Sequence, residues 1–159
     1  MYTTLFGRLM MQQTKYDLYN SLKSIFLHID NHEKAFLAQF GLNIPRFFVL
    51  MHVEKNPGIN YIVLSDLLLC TKSNTTRIVR GMQKDGLINR ENDPSDRRSY
   101  QLTLTKAGHD LFNRVYPDYK KLVDGLMSKL DKAKLEDYLK ASSEIENTLT
   151  PNRSEPTPG

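Results

Sequence analysis

Two short segments near the middle of the chain, YIVLSDLLL and KSNTTRIVRGMQK, restrict its fold more than any others. Asn60 precedes the first and Thr71 the second, and both side chains can accept a hydrogen bond from the free N–H groups that open a helix. The spacing leaves only a few residues for the connection. Two short helices joined by so tight a turn make a helix-turn-helix. Gly86 stops the second helix. Beyond it, LINRE and YQLTL alternate apolar and polar residues on either side of the polar stretch NDPSDRRS, which predicts a β-hairpin. In the returning strand Tyr100, Leu102 and Leu104 share a face that should cover the helices. A hairpin directly after a helix-turn-helix is a winged helix, predicted here for residues 41–106.

The flanking regions read as helices with apolar stripes. Over 16–40, Leu18, Leu22, Ile25, Phe26 and Ile29 recur at helical spacing, and a separate helix is expected before them at 3–12. Gly41 then reads as a helix stop, and Asn43 with Pro45 as the entry to PRFFVLMHVEK, which ends at NPG. Thr105 can cap a helix that runs past Pro117, where a kink or local break is expected. Asp131 is expected to cap a last helix with Leu135, Tyr138, Leu139, Ser142, Ile145 and Leu149 on one side. These stripes need a partner, either one another or a second copy of the chain; in the second case 1–40 and 107–149 are the regions that would dimerise. Residues 150–159, polar and proline-rich, are expected to form a disordered tail. The predicted fold class is mainly α with a small β-hairpin wing: a winged helix-turn-helix core flanked by N- and C-terminal dimerisation helices.

The formal charge of the 159 residues is only +4, too small to name a partner. Its placement says more. On a helical wheel Thr75, Ile78, Val79 and Met82 fall on one side of the second short helix, and Ser73, Arg77, Arg80 and Lys84 on the other. With Lys72 included, that helix holds four cations and no acid before Asp85. Lys and Arg in such a row neutralise phosphates and release condensed counterions. The shorter Ser73, Asn74 and Thr76 can approach base edges. A cationic surface helix alone would be unremarkable, but one that follows a tight turn and precedes a wing points to double-stranded DNA.

At the level of motif, TKSNTTRIVRGMQKDGLINRENDPSDRRSYQLTLTKAGHDLF resembles the recognition helix, wing and following helix of the MarR family of bacterial transcriptional regulators, and GLNIPRFFVLMHVEKNPGINYIVLSDLLL resembles the two helices before them. The wing DPSDRR and the LTLTKAG after it are the most diagnostic part. The resemblance implies a homodimer that binds a pseudo-palindromic operator, usually as a repressor, and is released by a small, often aromatic effector. Carried over by position, Lys72, Ser73, Asn74, Thr76 and Arg77 would meet bases and nearby phosphates, and Arg80 and Lys84 phosphates only. Arg97 or Arg98 would enter the minor groove, with Asp93 and Asp96 shaping the wing. The effector pocket implied by the family would draw on Tyr16, Phe47, Phe48 and Tyr116. The chain departs from the family at Thr75, where a buried aliphatic residue is usual, and at Leu69, where many members have glycine.

Other features have plainer readings. Cys70, in the turn, could report oxidation to the recognition helix, but packing is the expectation for a position normally filled by a small hydrophobe. His28 and His32 have the spacing of two metal ligands, yet no clear third ligand accompanies them, so no metal is expected. No cofactor is expected, and no catalytic arrangement: there is no phosphate-cradling glycine loop, HExxH or CxxC. The single cysteine fits a reducing cytoplasm. Arg8 interrupts the apolar start MYTTLFGRLMM, so neither a signal peptide nor a membrane span is expected. Non-specific architectural DNA binding, or an oxidant-responsive regulator acting through Cys70, are the alternative functions.

Overall fold

The computed structural model describes residues 2–92 and 99–150, with side chains from Met10 onward. In chain order the elements are α1 (Tyr2–Ala38), α2 (Ile44–Lys55), β1 (Ile59–Asn60), α3 (Tyr61–Leu67), α4 (Lys72–Lys84), β2 (Ile88–Asn92), β3 (Tyr100–Leu104), α5 (Lys106–Met127), a 3₁₀ turn (Lys132–Lys134) and α6 (Leu135–Leu149). The mainly helical class and the winged helix-turn-helix are as expected. Among the described residues no helix is long and apolar enough to cross a membrane.

Local chemistry sets the boundaries. Asn43 accepts a hydrogen bond from the Arg46 N–H at 3.0 Å, Asn60 from Ile62 and Val63, and Thr71 from Asn74, so each satisfies donors that a helix start leaves free. At the other ends, Gly41 and Gly86 take φ of 67° and 71°. There Leu42 N–H reaches back to Leu37 C=O, and Leu87 N–H to Met82 C=O. These paired bonds are the Schellman pattern, which wants a left-handed residue and therefore glycine. The same pattern closes α3 with Cys70 N–H bonded to Ser65 C=O, but its left-handed residue is Leu69, at φ 49°.

Three expectations are corrected. The separate helix at 3–12 does not exist, because α1 is continuous from Tyr2 to Ala38: the residues between Gln12 and Tyr16 include no breaker. Asp131 caps the 3₁₀ turn, accepting from Ala133 N–H at 3.0 Å, while α6 starts at Leu135 without a side-chain cap. Pro117 does not break α5, which is one helix across it.

The chain divides into two compact units, residues 1–116 and 117–159. In the first, an antiparallel sheet of order β1-β3-β2 pairs Ile59 with Leu102, and Ile88 with Leu104. Its inward residues join Phe47, Leu50 and Val53 of α2, Leu64 of α3, and Val79 and Met82 of α4. Each such side chain contributes roughly 1.5–3 kcal/mol by leaving water. Leu37 at the end of α1 and Phe112 and Val115 of α5 are buried as well. Gly108 explains how α5 approaches so closely: a Cβ there would stand 2.2 Å from the Leu87 carbonyl oxygen. Thr105 locks this corner, its hydroxyl donating to Gly86 C=O at 2.6 Å and accepting from Gly108 N–H at 3.0 Å. In the second unit none of the described residues is buried, and Leu135, Tyr138, Leu139 and Leu149 are exposed.

Candidate nucleic-acid interface

The periodicity of α4 separates its faces as the wheel predicts. Thr75, Val79 and Met82 are buried, and the Thr75 hydroxyl is satisfied by the Thr71 carbonyl at 3.2 Å. Threonine therefore replaces an aliphatic residue there without leaving an unpaired donor. Lys72, Ser73, Thr76, Arg77, Arg80, Gly81 and Lys84 line an open concavity on the outer face. Six of the seven residues expected on the recognition helix are thus brought together, with four cations among them.

Asn74, the seventh, is half-buried at the edge of this surface. Its amide donates to the Cys70 sulfur at 3.6 Å, and its Oδ1 accepts from an Arg77 Nη at 2.8 Å. Asn74 therefore aims Arg77 along the helix, and the second lone pair of its Oδ1 stays able to accept another hydrogen bond. Cys70 is partly exposed and not fully packed away. The wing residues Asp93, Asp96, Arg97 and Arg98 lie outside the described residues, as do the tail residues 151–159.

The four aromatic residues expected around an effector have different settings. Phe47 is fully buried and meets Phe48 edge-on at 5.7 Å. Tyr116 stacks on Phe112 at 4.8 Å, with the Lys55 ammonium 5.8 Å from its ring. Tyr16 stands exposed on α1 beside Met11, Gln12 and Lys15. Among the described residues no three of His, Cys, Asp and Glu gather in a way that would hold a metal.

The sequence reading missed a cluster where α3 meets the sheet. Arg90 on β2 lies opposite Leu102, on the same sheet face as Ile88, so alternation turns it inward. Its guanidinium carbon is 3.4 Å from the Tyr100 ring centroid and 5.9 Å from that of Tyr61. Burial pushes the Tyr61 phenol above its ordinary pKa, while the charges of Arg90 and Arg80 pull it back. A charged residue at an inward strand position was the available signal, because such a group needs an aromatic or ionic partner.

The MarR family model matches residues 42–100, from the turn before α2 to the start of β3. Over this segment the chain is similar to the MarR family. Transcriptional repressor MprA of Escherichia coli (strain K12) is 34% identical over 104 residues, which is 64% of this chain and 58% of that protein. The chain thus spans less than two thirds of that relative's length. The HTH-type transcriptional regulator MhqR of Bacillus subtilis (strain 168) is 25% identical over 126 residues, covering 79% of this chain and 87% of that one. In fold, the chain resembles MepR in the crystal structure of the S. aureus MepR-DNA complex, with a TM-score of 0.76 and 18% identity across 82% of this chain and 97% of that one. The MarR match includes the concavity on α4, Tyr61 and Arg90, and Leu69 in its left-handed turn.

Proposed function

We propose that this chain is a DNA-binding transcriptional regulator of the MarR family that reads its operator with α4. The observation that carries the reading is the outer face of α4, where Lys72, Arg77, Arg80 and Lys84 flank Ser73 and Thr76 in one open concavity. Cations supply affinity through counterion release, and the short polar side chains between them supply selectivity. Arg77, fixed by Asn74, is assigned to base contact, and Lys84, a turn or more away, to phosphate. The likeness to the transcriptional repressor MprA supports a repressor.

The active form is a homodimer joined through the terminal helices. Leu18, Ile25, Phe26 and Ile29 of α1 are all exposed in the single chain, an apolar stripe that a second copy would cover. A dimer places two copies of α4 about 34–36 Å apart, one helical turn of DNA. A small aromatic effector that favours a dimer with a different spacing would release the operator, and a thermal-shift screen of aromatic acids would find it as a rise in Tm.

The direct test measures binding to the chain's own upstream intergenic DNA and to random duplex over several salt concentrations. Arg77→Ala should cost about 1–3 kcal/mol on the operator and relax its sequence preference. No preference by the wild type for its own intergenic DNA would reduce the protein to non-specific binding.

A further inference from the structure

The end of α3 closes with the same backbone pattern as the ends of α1 and α4, but where those place glycine at the left-handed position it places Leu69, at φ 49°. In that conformation the Cβ of any residue but glycine crowds the backbone. The leucine side chain gives nothing in return within the chain, because it is 92% exposed. A strained residue with no local compensation points to a contact outside the chain.

The turn is held on both sides. Leu69 N–H bonds to Asp66 C=O at 3.2 Å and Cys70 N–H to Ser65 C=O at 3.0 Å. Beyond them the Cys70 sulfur accepts from the Asn74 amide at 3.6 Å, and Thr71 caps α4. Three peptide units join Leu69 to Lys72, so their Cα atoms lie within about 11 Å of each other, and Lys72 and Ser73 line the cationic concavity. In a helix-turn-helix the second helix meets base edges with its N-terminal residues while the first crosses the backbone. The turn between them therefore runs beside the duplex, with Leu69 as its exposed apolar side chain.

We propose that Leu69 is a DNA-contacting residue, its side chain packed on an apolar part of the duplex at the mouth of the major groove: a thymine methyl or the face of a deoxyribose. This rests on the DNA-binding reading of α4. It adds to the cations and short polar groups of that helix a contact that carries no charge and needs no buried atom to be uncovered. The strain at Leu69 is then a cost to the free protein that is offset on DNA.

The test measures wild type, Leu69→Gly, Leu69→Ala and Arg77→Ala on the chain's own upstream intergenic duplex, by fluorescence anisotropy across a salt series, with a melting curve for each. A second duplex carries deoxyuridine in place of thymidine and so lacks only the methyls. Leu69→Ala keeps the restriction that a Cβ imposes on the turn and removes the rest of the side chain. Both Leu69 variants should bind about fivefold more weakly, with the slope of log K against log salt unchanged because leucine carries no charge. Leu69→Gly should do so while its Tm rises, a pairing of signs that a purely structural role does not give. If the contact is a thymine methyl, the wild type loses the same factor on the uracil duplex and the variants lose nothing further. If it is a deoxyribose, the variants are weaker than wild type by the same factor on both duplexes. Wild-type affinity in both variants, with Arg77→Ala still impaired, would leave the DNA reading standing and overturn the Leu69 contact. Weakening by Leu69→Gly alone would trace the effect to the backbone and likewise overturn it. A lower Tm for Leu69→Gly would mean that protein covers the side chain, with the same result. Absence of duplex binding by the wild type would remove both readings together.

Discussion

Leu37 and Phe26 lie on the same helix, yet Leu37 is fully buried and Phe26 is 59% exposed. The winged core takes only the last turns of α1 into itself, along with the first turns of α5. It is complete within one chain: its helices are capped, its sheet is backed by α2 and α3, and its polar Ser65 and Thr75 are bonded to backbone carbonyls. The rest of α1 has the same density of apolar side chains and nothing in the described chain to cover them. One region is thus folded by its own sequence, and the other leaves an apolar stripe exposed that the proposed dimer would cover.

The largest effect should come from breaking the unfinished region. Phe26→Asp puts a carboxylate into the proposed dimer interface, and twofold symmetry makes it count twice. Loss of one buried Phe contact costs about 3–5 kcal/mol, so two per dimer should abolish association at micromolar concentration. Sedimentation should then show half the wild-type mass, with the near-ultraviolet spectrum of the core retained. A mass equal to wild type would mean that α1 is not the interface.

Gly108→Ala attacks the finished region at its tightest point. The new methyl would meet the Leu87 carbonyl oxygen at 2.2 Å, and neither α5 nor the strand can withdraw without disturbing the Thr105 bonds on either side. We expect a loss of about 3 kcal/mol and a fall in Tm of roughly 8 °C. A Tm within 1 °C or so of wild type, on the scale of an ordinary surface substitution, would show that the α5 corner is loose.

How far each region could be read from sequence follows the same division. The caps at Asn43, Asn60, Thr71 and Thr105 and the stops at Gly41 and Gly86 are local chemistry, so they were visible one residue at a time. The split faces of α4 were visible because thirteen residues give three turns of periodicity. β1 was missed because its two residues carry no period, and it exists only through pairing with β3. The helix expected separately at 3–12 differs in the opposite way, since a weakening stripe is not a helix end where no breaker stands. Arg90 reads from sequence as one more polar residue of LINRE, although its place in the strand alternation turns it toward Tyr61 and Tyr100. The effector residues depend on how aromatic side chains from distant elements meet, and spacing along the chain holds no information on that.

The smallest expected change sharpens the comparison from inside the core. Three helix ends use one backbone pattern, two with glycine and one with Leu69, and the leucine side chain is 92% exposed. A left-handed conformation costs a non-glycine residue roughly 1–2 kcal/mol, whereas glycine adds back about 0.5–1 kcal/mol of unfolded-state freedom. Since the exposed side chain contributes no packing, Leu69→Gly should stabilise the chain by about 0.5–1 kcal/mol, a rise in Tm of roughly 2 °C. The same variant should leave the self-association of α1 unchanged, because the gain arises within one winged core. A fall in Tm would show instead that Leu69 is covered in the assembled protein, and would place the turn before α4 with α1 among the surfaces completed by another molecule.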